Sequence, residues 1–268
     1  MRPHFTVLNR FRFFFKFLSY LFTAKDEHSI HSPFVFQLYT EVIKPVKRFY
    51  VFKKIEWWRH YLSENDDLID ITDLGAGSKI NKSTRRKVKN IARHSEKPKK
   101  VGQLLFKLIN KFKPGEIFDL GTSLGLTTMY IASASNNSKV TTFEGCPNTL
   151  NKAKEYFGKI GLTNISAVEG NIDVTLPEKI KEVSSLDFVF FDANHRYEPT
   201  MRYFEICLSK ATEESIFVFD DIYWSEEMEK AWNDIKSHPE VIVTIDLFFV
   251  GLVFFRTKQP KQHFTLRF

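Results

Sequence analysis

Three stretches hold residue types at spacings that could do chemistry. Asp119-Leu120-Gly121-Thr122-Ser123-Leu124-Gly125 overlaps the end of a short apolar run, EIFDL, and precedes a helix-like run, LTTMYIASA. Glycine has no Cβ, so Gly121 and Gly125 allow a sharp turn and a close approach of backbone to a ligand. The fingerprint GxGxxG is absent, because Ser123 and Leu126 stand where its further glycines would be; this argues against NAD or FAD. Glu144 ends the next apolar run, 19 residues after Gly125. A carboxylate at that distance can accept hydrogen bonds from both hydroxyls of a ribose. The third stretch is split: Asp192-Ala193-Asn194-His195 and Phe219-Asp220-Asp221 each follow an apolar run. Together they offer hard oxygen ligands for a cation and an imidazole able to take a proton near neutral pH.

These residues need a scaffold that delivers them to one edge. From residue 101 the pattern predicts a helix to 112, stopped by Lys113-Pro114-Gly115, and then the strand EIFDL. It continues as strand 139–144, helix 147–160, strands 165–169 and 186–192, helix 198–210, strand 215–220 and helix 225–236. Short apolar strands alternating with helices imply a parallel sheet covered on both faces, with ligands at the carboxyl ends of its strands. Two closing runs, VIVTIDL and GLVFFR, are separated by so few residues that they can pair only antiparallel. The first hundred residues lack this alternation. Ser32-Pro33 reads as an N-cap followed by the first helical position, and another helix is expected over 51–62. The expected architecture is therefore α/β, with a mostly helical, basic N-terminal cap over 1–98 and a sheet domain over 99–268.

The ordered set of DLGTSLG after one strand, Glu144 after the next, Gly170-Asn171-Ile172 after the third and the closing strand pair resembles class I S-adenosylmethionine-dependent methyltransferases over about residues 99–257. The resemblance implies a Rossmann-like doubly wound sheet and S-adenosyl-L-methionine as cofactor. It assigns Asp119 and Gly121 to the methionine portion within the loop that includes Thr122, Ser123 and Gly125. Glu144 falls to the ribose, and Asn171 and Ile172, after Gly170, to the adenine. Asp192, Asp220 and Asp221 are similar to the set that holds a magnesium-like ion in the O-methyltransferases related to catechol O-methyltransferase. The same carboxylates could instead tie loops or hold the cofactor amine. That family's lysine base lies three residues after the strand-four carboxylate, where this chain has His195. The resemblance thus implies catalytic roles for Asp192 and His195, with a divalent cation such as magnesium as an accessory.

Composition bounds the partners. Residues 1–100 carry 21 Lys and Arg against 10 Asp and Glu, net +11, whereas the remaining 168 carry 18 against 22, net −4. A basic region favours anionic partners such as RNA or a membrane surface, although a solvated charged face would look the same. The aromatic run RFRFFFKFLSYLF is interrupted by Arg10, Arg12 and Lys16. It falls short of the ~20 apolar residues that span a bilayer and reads as a helix packed on the protein. Two cysteines fit a reducing, cytoplasmic setting. Asp70–Ser78, DITDLGAGS, imitates a glycine loop, but no acidic ribose partner follows it, so it is expected to be a turn of the cap. The leading expectation is O-methylation of a small-molecule or lipid-like acceptor. The alternatives are an RNA methyltransferase using the basic stretch 79–100 and a non-catalytic cofactor-binding module.

Overall fold

A computed structural model of the chain describes residues 7–72 and 85–268. In chain order the elements are α1 (Val7–Thr23), α2 (Pro33–Leu38), α3 (Tyr50–Glu64), β1 (Leu68–Asp70), β2 (Arg85–Lys87), α4 (Val88–Ser95), α5 (Lys99–Phe112) and β3 (Glu116–Leu120). They continue as α6 (Leu126–Ala132), β4 (Lys139–Glu144), α7 (Pro147–Ile160), β5 (Ile165–Glu169), α8 (Ile172–Lys179), β6 (Phe188–Phe191) and α9 (Tyr197–Leu208). The last are β7 (Ile216–Asp220), α10 (Glu226–Ser237), β8 (Val243–Asp246), β9 (Val250–Phe254) and β10 (Gln262–Thr265). The architecture is mixed α/β with mostly parallel strands, as expected, and it resolves into two compact units. One is Lys47–Glu182; the other combines residues 7–46 with Val183–Phe268.

In the first unit β3, β4 and β5 run parallel, with β4 in the middle. Register pairs Leu120 with Phe143 and Glu144 with Glu169, so the three carboxyl ends lie along one edge. Ile117, Phe118 and Leu120 are buried, and each side chain removed from water contributes about 1.5–3 kcal/mol. α5 buries Leu104, Leu105, Leu108 and Ile109, a helical spacing, and ends where Lys113 takes a left-handed φ of 51° before Pro114. α3 buries Phe52, Ile55, Trp58 and Leu62 at the same period. The N-terminal third also holds a short antiparallel pair, β1 with β2, too brief for its alternation to stand out in the sequence. The glycine-bearing part of the 70–78 motif, residues 73–78, lies outside the described residues.

In the second unit β6 and β7 are parallel, β9 is antiparallel to both β7 and β8, and β10 lies parallel to β8. The expected closing strand pair is therefore present, with β10 in addition. β6, FVFF, is buried along its whole length, and Phe191 stacks on Phe219 of β7 at 4.2 Å. Such unbroken apolar strands need cover on both faces. Ser32 caps α2 through Val35 N–H, as its type predicts, and the helix runs on into a wider turn in which Lys44 N–H donates to Tyr39 O. α1 packs Phe13, Phe17 and Tyr20 around Phe248 in the β8–β9 turn, and Arg12 and Lys16 pair with Glu229 of α10. Its outward face leaves Phe11, Phe14, Phe15 and Phe22 exposed. Among the described residues no helix is long and apolar enough to cross a membrane.

Candidate functional site

The glycine loop of the first unit is held from beneath by buried polar groups. Asp119 is fully buried, and its Oδ2 accepts hydrogen bonds from Thr128 Oγ1 at 2.6 Å and Thr142 Oγ1 at 2.9 Å. Hydrogen bonds to a buried charge are worth about 1.5–3 kcal/mol each, so this carboxylate fixes β3, β4 and α6 together. Thr122 belongs to the same frame. Its N–H donates to Phe143 O, and its hydroxyl lies 2.6 Å from that of Thr142. The loop above is bent through left-handed conformations at Gly121 (φ 122°), Ser123 (φ 48°) and Gly125 (φ 85°). A Cβ on Gly125 would come within 2.5 Å of the Phe157 ring, so both conformation and contact require glycine there.

Glu144 closes the loop from the neighbouring strand. Its Oε2 accepts from Ser123 N–H at 2.8 Å and its Oε1 from Cys146 N–H at 2.9 Å. Burial pushes its carboxyl above the usual glutamate range, and the N–H groups of Cys146, Ser123 and Gly145 oppose that shift. A carboxylate has about four acceptor sites. Two hold the loop, which leaves acceptor capacity for a vicinal diol. Gly170 N–H donates to Glu144 O, and Asn171 then caps α8 by accepting from Asp173 N–H. Ile172, the first residue of α8, is partly exposed beside it. Every loop residue expected to meet the cofactor from Gly121 to Ile172 thus lies at the carboxyl end of β3, β4 or β5. Sequence reasoning missed Thr128, Thr142 and Ser95. The Ser95 hydroxyl lies 2.7 Å from that of Ser123 and ties the end of α4 to the loop. It also missed Thr72, whose N–H donates to Cys146 Sγ.

The second unit brings Asp192, His195 and Asp220 together, with one donor atom of each within 4.8 Å of the others. Asp192 and His195 follow β6, and His195 Nε2 lies 3.3 Å from Asp192 Oδ1. Asp220 is the last residue of β7 and is buried. The turn that makes this possible is costly, because Asn194 (φ 66°) and His195 (φ 40°) are consecutive left-handed residues without being glycine. Asn194 is anchored by donating to Tyr203 OH at 2.8 Å. Asp221, expected as a third oxygen ligand, is outside this group. It takes a φ of 54°, and its N–H donates to Phe249 O. The reversal at Asp221 sends the chain away from the direction set by Asp220, and His195 stands in the set instead. Two carboxylates and an imidazole suit a borderline divalent cation, whereas an all-oxygen set would favour magnesium.

Residues 118–222 match a protein family described as a methyltransferase domain. A comparison with curated proteins found no match by sequence. Among solved structures, a methyltransferase from Podospora anserina bound to SAH is 14% identical with a TM-score of 0.58, covering 84% of this chain and 97% of that one. An O-methyltransferase from Bacillus cereus in complex with SAH is 16% identical, TM-score 0.55, covering 81% and 96%. An O-methyltransferase from Streptomyces achromogenes involved in tomaymycin synthesis, in complex with SAM, is 16% identical, TM-score 0.52, covering 60% and 82%. The match to a methyltransferase domain thus spans residues 118–222, and the chain shares the Rossmann-like α/β fold of these methyltransferase structures.

Proposed function

We propose that this protein is an S-adenosylmethionine-dependent O-methyltransferase acting on a small-molecule or lipid-like acceptor. The observation that carries the reading is Glu144, a largely buried carboxylate that braces the glycine loop with two backbone hydrogen bonds and keeps acceptor capacity for a ribose diol. When bound, the cofactor supplies a methyl group on a sulfonium, which leaves as a neutral thioether. Gly121, Ser123 and Gly125 let the backbone approach the methionine portion, and Asn171 and Ile172 border the adenine. Asp119 supports this loop from below. The functional division is taken as a cofactor-binding domain over 99–268 and a helical cap over 1–98, a boundary that the two compact units cross.

His195 is the proposed base, with Asp192 orienting it. If Asp192 Oδ1 accepts from Nε2–H, the tautomer is fixed and the Nδ1 lone pair is left to take the acceptor hydroxyl proton. The acceptor oxygen then bonds the methyl carbon as the carbon–sulfur bond breaks. A cation held by Asp192, Asp220 and His195 Nε2 would put the ring proton on Nδ1, so the ligand role of Nε2 and the base role of Nδ1 exclude each other. The basic N-terminal region is proposed to meet an anionic partner, RNA or a membrane surface. Two free, buried cysteines, Cys146 and Cys207, fit a cytoplasmic setting. Isothermal titration with the cofactor and with SAH tests the proposal: saturable binding that weakens in Glu144→Ala supports it, and no heat with either ligand refutes it.

A further inference from the structure

The basic stretch after residue 79 is largely committed among its described residues. Lys87 and Lys89 pair with Asp66 at 2.7 and 2.9 Å, Arg85 lies 3.6 Å from Asp70, and Arg86 and Lys97 are buried. A different cationic surface lies on α3. Tyr50, Lys53, Lys54, Trp57 and Tyr61 fall at helical spacing on one face, and with Lys159 of α7 they line a groove of about 590 Å³. The cations are interleaved with rings. Trp57 and Tyr61 stack with planes 11° apart and centroids 5.7 Å apart, and Trp58 stands edge-on to both. Tyr50 is 89% and Trp57 57% exposed, a large apolar area left in water.

The groove is built into the unit. Trp58 packs on Tyr156 of α7 at 5.1 Å, and Lys54 Nζ donates to Ile160 O at 2.6 Å, fixing α3 to the end of that helix. Lys159 shares Glu155 with Lys152, whereas Lys53 is an exposed cation in the lining. Among the described residues none that lines the groove is acidic. α7 starts at Pro147, just after Glu144, and runs away from the carboxyl edge of the sheet. At 1.5 Å per residue, Lys159 is about 18 Å along it from Pro147. The groove is thus remote from the cofactor loop.

We propose that this face of α3 is a binding site for single-stranded RNA, with bases stacking on the Trp57–Tyr61 pair and backbone phosphates meeting Lys53, Lys54 and Lys159. Exposed planar rings with lysines between them serve sequence-tolerant strands, because every base has a π-face and every nucleotide a phosphate. From Tyr50 to Tyr61 the row spans about 16 Å along the helix, more than one nucleotide would cover. The site is independent of the methyl acceptor's identity: it would hold the enzyme on a strand whether or not that strand is methylated.

The test is binding of the full chain to a labelled short oligouridylate at several salt concentrations, with uridine monophosphate and phosphatidylcholine–phosphatidylserine vesicles as parallel probes. Oligomer binding should weaken by about tenfold or more in Trp57→Ala. Its log–log salt slope should become shallower by about 0.7 in Lys53→Gln. SAH affinity should be unchanged in both variants, which shows that they are folded. Oligomer binding indifferent to both substitutions overturns the proposal. So does binding of the vesicles alone, or uridine monophosphate binding as tightly as the oligomer.

Discussion

The glycine loop and the Asp192–His195–Asp220 cluster both sit at the ends of parallel strands, yet they are built on opposite principles. In the loop the acidic groups are braced from within: Asp119 accepts from two threonines and Glu144 from two backbone N–H groups. Its shape is therefore set before any ligand arrives, which lowers the ordering cost of binding. The cluster crowds Asp192 and His195, on a turn with consecutive left-handed residues, against Asp220 at the end of β7. Strain and like charge of this kind persist where a proton or cation is to be handled. In the proposed function the first region holds the cofactor and the second handles the proton.

The comparison breaks most visibly at His195. His195→Ala should lower the methyl-transfer rate by about 10²-fold or more with cofactor affinity unchanged; equal losses in rate and affinity would merge the two regions into one. Chelator treatment separates the two roles of Nε2: activity lost and restored by a divalent cation assigns it as a ligand, and activity indifferent to chelation leaves it donating to Asp192.

A smaller effect is expected at Glu144. Glu144→Ala should weaken SAH binding by about 10- to 100-fold, from lost charged hydrogen bonds of about 1.5–3 kcal/mol. Acid should act in the same direction. Burial raises the Glu144 pKa, so its protonation, and the loss of cofactor affinity, should begin above the ordinary glutamate range as pH falls. Glu144→Gln should remove that dependence. Affinity that stays flat in the wild type down to the ordinary glutamate range contradicts the ribose role.

Much of the scaffold was legible because its periods are strong. The ends of β4, α7 and β5 fall where residues 139–144, 147–160 and 165–169 predict them, since Pro147 opens α7 and Gly161 closes it with a φ of 80°. α8 was not legible: it has eight residues, carries Pro177 inside and has no marked apolar face. β10 was missed because its four residues, Gln262–Thr265, are mostly half-buried and mostly polar and lack a core pattern. In the sites, backbone-driven features could be read, such as Gly121, Gly125 and Glu144. The partners of Asp119 could not, because Thr128 and Thr142 lie 9 and 23 residues away and meet it only in the folded sheet. The exchange of Asp221 for His195 in the cluster depends on backbone reversals that residue types alone do not reveal.

The smallest expected effect concerns stability in the first unit. Burial, helped by Lys100 and Lys47, pushes Lys107 down to about 8. A lysine whose folded pKa is below its unfolded value makes the native state bind fewer protons, so stability rises with pH between about 8 and 10.5. Lys107→Met should flatten that rise in the melting temperature and increase it at neutral pH, while leaving SAH binding alone. An unchanged pH profile would show that Lys107 is solvated.

The central claim is that the Glu144 loop is a ribose-binding cradle. A crystal structure of the full chain grown with SAH tests it most directly. The account predicts both ribose hydroxyls within hydrogen-bond distance of the Glu144 carboxylate, with Ser123 and Cys146 N–H still bound to it. A ligand seated elsewhere, or a ribose that does not touch Glu144, would contradict it.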